Sequence, residues 1–334
     1  DAYEAGEVAT VLFLQKFGRT LFRKASSPEA RLAALSKIAA LLPTHTRRSE
    51  EGRALQQFST PIPLGLAAVT AAAIGPGDVV LEPSAGTGLL AVLAEIAGGR
   101  LLLNEFAETR ADLLAALFPA ARVTRFDAAQ IDDHLGPDAV PTVVVMNPPF
   151  SALAQVSGRV ADAGLRHVAS ALARLAPGGR LVAITGANIG PEASEWRDAF
   201  VRLQERGRVV FTAAITGSVF ARHGTTVPAR LTVIDKVPAD DPTLLPASAG
   251  MAPDVASLTA WIGAGVPPRQ CVEVPPTRVL RPSIVGSFAQ KPRSIPVRLR
   301  PPASTSSEPQ GVDLAYETVD WTPPEGTRLT EAIY

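Results

Sequence analysis

From about residue 61 to residue 236 the chain alternates short apolar runs with longer helical stretches, and this alternation restricts its fold more than any other feature. Runs at 79–82, 100–105, 122–126, 142–147, 180–185, 208–213 and 229–236 are rich in Val, Ile and Leu and have the length of buried strands. Between the first five lie helical stretches such as 88–97, 107–117 and 159–175. Such alternation predicts a mostly parallel sheet with helices on both faces, because parallel neighbours need a crossover long enough to hold a helix. Only a glycine-bearing loop, residues 216–227, separates the last two runs, so they are expected as an antiparallel pair at the sheet edge. The fold class is therefore α/β, a Rossmann-like sheet of seven strands, mostly parallel with an antiparallel edge strand.

The flanks read differently. In residues 4–55, Val8, Val11, Leu12, Phe17, Leu21 and Phe22 recur at helical spacing. Ser27, Pro28 and Glu29 form a helix start with cap, first-turn proline and early acid. Leu32, Leu35, Ile38, Leu41 and Leu42 then give that helix an apolar face, and Pro43 stops it. After Val237 periodicity fades and proline accumulates, with pairs beginning at 267, 275, 301 and 323. That is the pattern of a loosely structured extension that packs in places. The expected organisation is a helical region over 1–55, a central domain over 56–237, and a Pro-rich, partly irregular extension over 238–334.

Composition excludes several alternatives. A chain of 334 residues with 46% hydrophobic content can bury a full core. No apolar run reaches the length of a membrane span, and no secretory signal is visible. The single cysteine, Cys271, rules out a disulfide framework and a cysteine metal site and fits a reducing cytoplasm. Abundant Arg, Ala and Pro suggest a GC-rich bacterial genome, and a start at Asp1 suggests a piece of a longer protein. The formal net charge is zero, which argues against coating nucleic acid by bulk electrostatics. The charge is unevenly spread. Arg269, Arg278, Arg281, Lys291, Arg293, Arg298 and Arg300 face one acid, Glu273, before acids dominate from Ser304 onward. The basic block reads equally as a phosphate contact or as a solvated linker.

Two turns carry the chemistry. After Val79, Val80 and Leu81 come Glu82, Pro83, Ser84, Ala85, Gly86, Thr87 and Gly88. Gly86 and Gly88 allow a tight turn and close passage of a ligand, and the helix that follows offers backbone donors. An acid at Glu82 suits a cationic ligand end and repels a pyrophosphate, which points to S-adenosyl-L-methionine. Glu105, with Phe106 beside it, stands at the end of the second strand, where a carboxylate can take ribose hydroxyls. Asp127, after the third strand, is placed to accept from an adenine amino group, with Ala128 beside the ring. The second turn is Asn147, Pro148, Pro149 and Phe150, closing the fourth strand. An aromatic amine is a poor nucleophile because its lone pair is delocalised. The Asn147 side-chain oxygen and the Pro148 carbonyl can accept its two N–H bonds and draw the nitrogen toward a tetrahedral shape. The prolines fix the backbone without competing donors, and Phe150 offers a face for a flipped-out base. Methylation at cytosine C5 would need a thiolate here, and the only cysteine is far away.

Residues 56–236 resemble a class I S-adenosylmethionine-dependent methyltransferase of the amino-methylating kind. The Asn-Pro-Pro-Phe turn is similar to that of adenine-N6 DNA methyltransferases such as the modification subunits of type I restriction systems. Phe58, Ser59, Thr60 and Pro61 resemble the segment that such enzymes place before the first strand, against the cofactor's methionine end. That order matches the gamma arrangement. Residues 56–63 and 220–236 look like the amino-terminal methylase module of bacterial strawberry-notch-type methylase/helicase proteins, which implies DNA as partner and a helicase in the same longer polypeptide. No target-recognition domain is evident, which leaves DNA specificity open. The same turn also serves guanine-N2 methylation of RNA and glutamine methylation of protein, and a non-catalytic docking module for a helicase is a further reading. His223 and Thr225, between the last two strands, read either as closing over the target base or as a hairpin tip in solvent. His167, on a helix, reads as a surface residue.

Overall fold

The computed structural model describes residues 2–42, 44, 59–149, 163–270 and 272. Phe58, Phe150, residues 45–57 and the basic block from Arg278 onward lie outside them. Strands form where the apolar runs predicted them: β1 Val79–Glu82, β2 Arg100–Asn104, β3 Arg122–Thr124, β4 Val143–Met146, β5 Arg180–Gly186, β6 Arg208–Ile215 and β7 Ala229–Asp235. Every residue of β1, β4 and β5 is buried, which explains why their sequences are continuous apolar runs without alternation.

The sheet order is β3-β2-β1-β4-β5-β7-β6-β8, where β8 is the short Met251–Ala252. Neighbours from β3 through β5 are parallel, and β7 runs antiparallel to both β5 and β6. The expected antiparallel pair is present. The eighth strand lies parallel outside β6, so the pair itself is covered. The chain moves outward from β1 to β3 and then returns to lay β4 on the other side of β1. This reversal creates a crevice at the carboxyl ends of β1 and β4, and these are the strands that carry the two turns.

One face of the sheet carries α1 Ala2–Lys24, α2 Pro28–Leu41, α3 Ile62–Ala72, α4 Leu89–Ile96, α5 Glu108–Leu117 and, beyond β8, an additional helix, Val255–Gly265. The other carries α6 Ile131–His134, α7 Ala163–Arg174 and α8 Ser194–Gln204. The additional helix, α9, starts at the Asp254 cap, whose Oδ1 accepts from the Ser257 amide at 2.7 Å. Ser27 caps α2 as its sequence predicts, accepting from the Ala30 amide at 3.2 Å. In α1 the outcome differs from expectation. The inward stripe is Glu7, Val11 and Leu14, while Leu12, Phe13 and Phe17 are exposed. No described helix is long and apolar enough to cross a membrane.

Two polar clusters tie the amino-terminal end of the sheet. The Arg180 guanidinium, 1% exposed, meets both carboxylate oxygens of Asp235 at 2.7 and 2.9 Å. It also donates to the Ala71 and Pro267 carbonyls, so four of its five N–H donors are matched inside the protein. Beside it, Asp78 accepts from Thr142 Oγ1, the Gly75 amide and Arg269. The segment following α9 is thereby fastened under the sheet.

The connection from β6 to β7 is packed against the body of the protein. Residues Gly217–His223 form a 3-10 helix. Phe220 is fully buried and Arg222 donates to the Ala40 and Leu42 carbonyls, which caps the end of α2. A Cβ on Gly217 would stand 1.7 Å from the Thr226 carbonyl oxygen. Because both sides of that contact are backbone, Gly217→Ala is expected to destabilise by about 3 kcal/mol or more, read as a lowered midpoint in urea unfolding. A second expectation concerns pH. Burial alone would raise the Asp78 carboxyl, but Arg269, the Gly75 amide and Thr142 together hold it below its ordinary 3.8. Its stabilising contribution is complete above that value and disappears as pH falls through the lower folded value. Arg269→Ala should flatten this acid limb in unfolding measurements made across it.

Candidate active site

Glu82 ends β1 with its side chain turned into the protein, 2% exposed. The loop after it bends at Gly86, φ +55°, where a Cβ would meet nothing within 4 Å because the space in front of it is open. The second glycine has a different reason. At Gly88, φ +90°, a Cβ would stand 2.5 Å from the Phe118 ring, so this position lets α4 pack against its neighbour.

The loop is held by the end of β2. The Asn104 side chain, fully buried, donates to the Pro83 and Phe126 carbonyls at 2.9 Å each and accepts from Thr124 Oγ1 and the Phe126 amide at 2.8 Å each. All four of its hydrogen-bonding positions are satisfied. Next to it, Glu105 accepts from the Gly86 amide at 2.8 Å and the Ala107 amide at 3.0 Å. After β3, Asp127 caps a short turn by accepting from the Ala129 amide at 2.9 Å. At the end of β4, Asn147 Nδ2 donates to Thr60 Oγ1 at 3.0 Å, which fixes the orientation of its amide.

These groups enclose a cavity of about 300 Å³, at the lower end of small-molecule sites. Of the residues singled out in the sequence, Ser59, Thr60, Glu82, Pro83, Ser84, Ala85, Gly86, Glu105, Phe106, Asp127, Ala128, Asn147 and Pro149 line it. Pro148 is buried and does not line it, and Gly88 serves packing. Pro61 begins α3 and lines a separate hollow of about 420 Å³ with Arg222 and His223. His223 is buried and Thr225 half-buried, so neither is a tip in solvent, and neither lines the first cavity.

The site also contains residues that sequence reasoning passed over: Thr87, Leu89, Leu90, Asn104, Arg110 and His167. Two are held from α1. Thr87 Oγ1 donates to Glu7 at 2.9 Å, and Arg110 binds Glu4 at 3.0 Å. Thr87 lies inside the glycine turn and Arg110 one helical turn beyond Phe106, so both had a positional signal. His167 had none, because only the rotation of α7 brings it to the wall, where it is half-buried and not the surface residue expected.

The electrostatics are those of an acidic pocket. Burial pushes the Glu82 carboxyl well above the usual carboxylate range, and the neighbouring Glu105 charge pushes it further. One Glu82 oxygen, Oε2, is buried without a hydrogen-bond partner among the described residues. An unmatched carboxylate oxygen beside an open glycine cradle suits a ligand with a cationic end. Among the described residues no group of three or more His, Cys, Asp or Glu could hold a metal ion.

No protein-family model and no curated protein matches the chain. Its fold does match solved structures. A Listeria monocytogenes protein described as a candidate class I S-adenosylmethionine-dependent methyltransferase superposes with a TM-score of 0.51 at 14% identity, covering 72% of this chain and 78% of that one. A candidate RNA methyltransferase from Pyrococcus horikoshii gives 0.47 at 19% identity, covering 62% and 98%. The M protein of the type I restriction enzyme EcoKI gives 0.44 at 17% identity, covering 72% and 64%. At these identities likeness speaks for architecture alone. The chain has the Rossmann-like fold of class I methyltransferases.

Proposed function

We propose that this chain is an S-adenosylmethionine-dependent methyltransferase acting on an exocyclic amino nitrogen, adenine N6 in DNA. The observation that carries the reading is that Asn147, its amide oriented by Thr60, shares one cavity with the buried Glu82 carboxylate, whose Oε2 has no hydrogen-bond partner among the described residues. The cofactor would supply a methyl group on a cationic sulfur. Glu82 would face the methionine end, Glu105 the ribose hydroxyls and Asp127 the adenine amine. The Asn147 side-chain oxygen and the Pro148 carbonyl would accept the two N–H bonds of the target amine, so that its lone pair points at the methyl. Positioning and electrostatics suffice for such a transfer, and no covalent protein intermediate is needed. The Asn-Pro-Pro-Phe sequence supports a planar nucleobase as target. The likeness of residues 56–63 and 220–236 to methylase/helicase modules supports a bacterial DNA-handling protein, with residues 56–237 as its methyltransferase domain.

Transfer of labelled methyl should be measured in parallel on duplex DNA, single-stranded DNA, ribosomal RNA and protein, followed by nucleoside and amino-acid analysis. N6-methyladenine in DNA is the expected product. Label in guanine or glutamine would redirect the target, and no label in any substrate would overturn the enzymatic reading. Asn147→Ala is expected to lower turnover by about a hundredfold or more while cofactor binding survives. Glu105→Ala should weaken cofactor binding about tenfold, measured by calorimetry.

The raised Glu82 carboxyl adds a pH signature. A cationic ligand binds the ionised form, so binding must release a proton from whatever fraction is protonated in the free protein. Affinity for S-adenosylmethionine should therefore tighten as pH rises through the raised range in which Glu82 ionises. In Glu82→Gln that dependence should vanish.

A further inference from the structure

Glu7 is an acid in a helical stripe that is otherwise suited to apolar packing. The side of α1 turned toward the protein carries Glu7, Thr10, Val11, Leu14 and Gly18, and Glu7 is fully buried there. A leucine at this position would bury apolar surface without desolvating a charge, whereas a buried carboxylate opposes folding unless hydrogen bonds compensate it. Residues that break the local pattern in this way concentrate at functional sites. The Glu7 carboxylate reaches from α1 to the glycine turn, 80 positions along the chain, where its Oε2 accepts from Thr87 Oγ1 at 2.9 Å.

Thr87 stands between Gly86, φ +55°, and Gly88, φ +90°. Two glycines around one residue leave the backbone many conformations to sample. Thr87 has the only side chain by which this stretch can be held, and its bond to Glu7 is the one hydrogen bond that side chain makes among the described residues. The turn is thus pinned from two sides. Glu105 accepts from the Gly86 amide at 2.8 Å, and Glu7 accepts from the Thr87 hydroxyl. Glu105 lines the cavity and is also assigned to the ribose, whereas Glu7 lies behind the turn and does not line the cavity. We propose that Glu7 is a positioning residue for the cofactor: by holding Thr87 from α1, it keeps the glycine turn in its binding shape before the ligand arrives. This rests on the adenosyl-cofactor reading above. A preorganised turn spares the ligand the entropy of ordering it, so affinity depends on a side chain that never touches the ligand.

The test is calorimetry on the full chain with S-adenosylhomocysteine, beside urea unfolding of each variant. The ligand carries no transferable methyl, so the measurement is independent of turnover. Glu7→Leu should weaken binding about tenfold, and Thr87→Val by a similar factor. Both substitutions break one contact, so the double substitution should weaken binding no further than either alone. Glu7→Gln, whose amide oxygen can still accept from the hydroxyl, should restore most of the affinity. A purely structural role would lower the unfolding midpoint and leave the affinity of the folded protein unchanged. That result, or losses that multiply in the double substitution, would overturn the role of Glu7 while leaving the cofactor reading intact. If Glu7→Leu does not fold, Thr87→Val and Thr87→Ser decide the matter, because serine keeps the hydroxyl committed to Glu7. Affinity lost in the valine variant and kept in the serine variant is then the expected result, and unchanged affinity in the valine variant would overturn the proposal. Failure of the unsubstituted protein to bind S-adenosylhomocysteine would overturn the cofactor reading and this proposal with it.

Discussion

The Asn104 amide fixes the edge on which the site stands. Its four hydrogen bonds join the loop after β1, the end of β2 and the chain leaving β3. Side chains alternate across a strand, so where Asn104 is turned into the framework, Glu105 is turned toward the loop and the cavity. A staple and a ligand-facing carboxylate thus occupy consecutive positions. Without the staple, the Gly86 amide and the Glu105 carboxylate would have no reason to meet at 2.8 Å. A buried amide with every donor and acceptor matched gives rigidity, whereas a partly matched one would be a liability.

The cavity floor is built on the opposite principle. Glu82 and Glu105 are both buried there, and the interaction between them raises the Glu82 carboxyl. Such a pair opposes folding in the absence of a ligand. Sites of this kind are tolerated where the surrounding structure is secure enough to hold them. The fully buried strands β1, β4 and β5, together with the Arg180–Asp235 pair at the other end of the sheet, supply that security.

The strands were legible in the sequence because burial on both faces leaves an unbroken apolar run, and β1 and β5 follow their runs to within a residue. The acids and the two turns were legible because a strand end positions its next residue almost without freedom. Features that depend on how elements lie against one another were not. Periodicity suggested an apolar stripe on α1 through Leu12 and Phe17, yet the side facing inward carries Glu7, because it meets the polar glycine loop rather than a hydrocarbon core. The strand β8 has two residues, too few to show a period. His167 reaches the cavity through the rotation of its helix, which no local pattern encodes.

The contacts from α1 blur the meaning of a domain boundary. Glu7 holds Thr87 and Glu4 holds Arg110, and both recipients line the cavity. A stretch that counts as an appendage by sequence is, by contact, part of the cavity wall. Trimming the protein at residue 56 would therefore unroof the pocket it was meant to isolate. A change at Glu4 or Glu7 would take from Arg110 or Thr87 the contact that holds it in the wall.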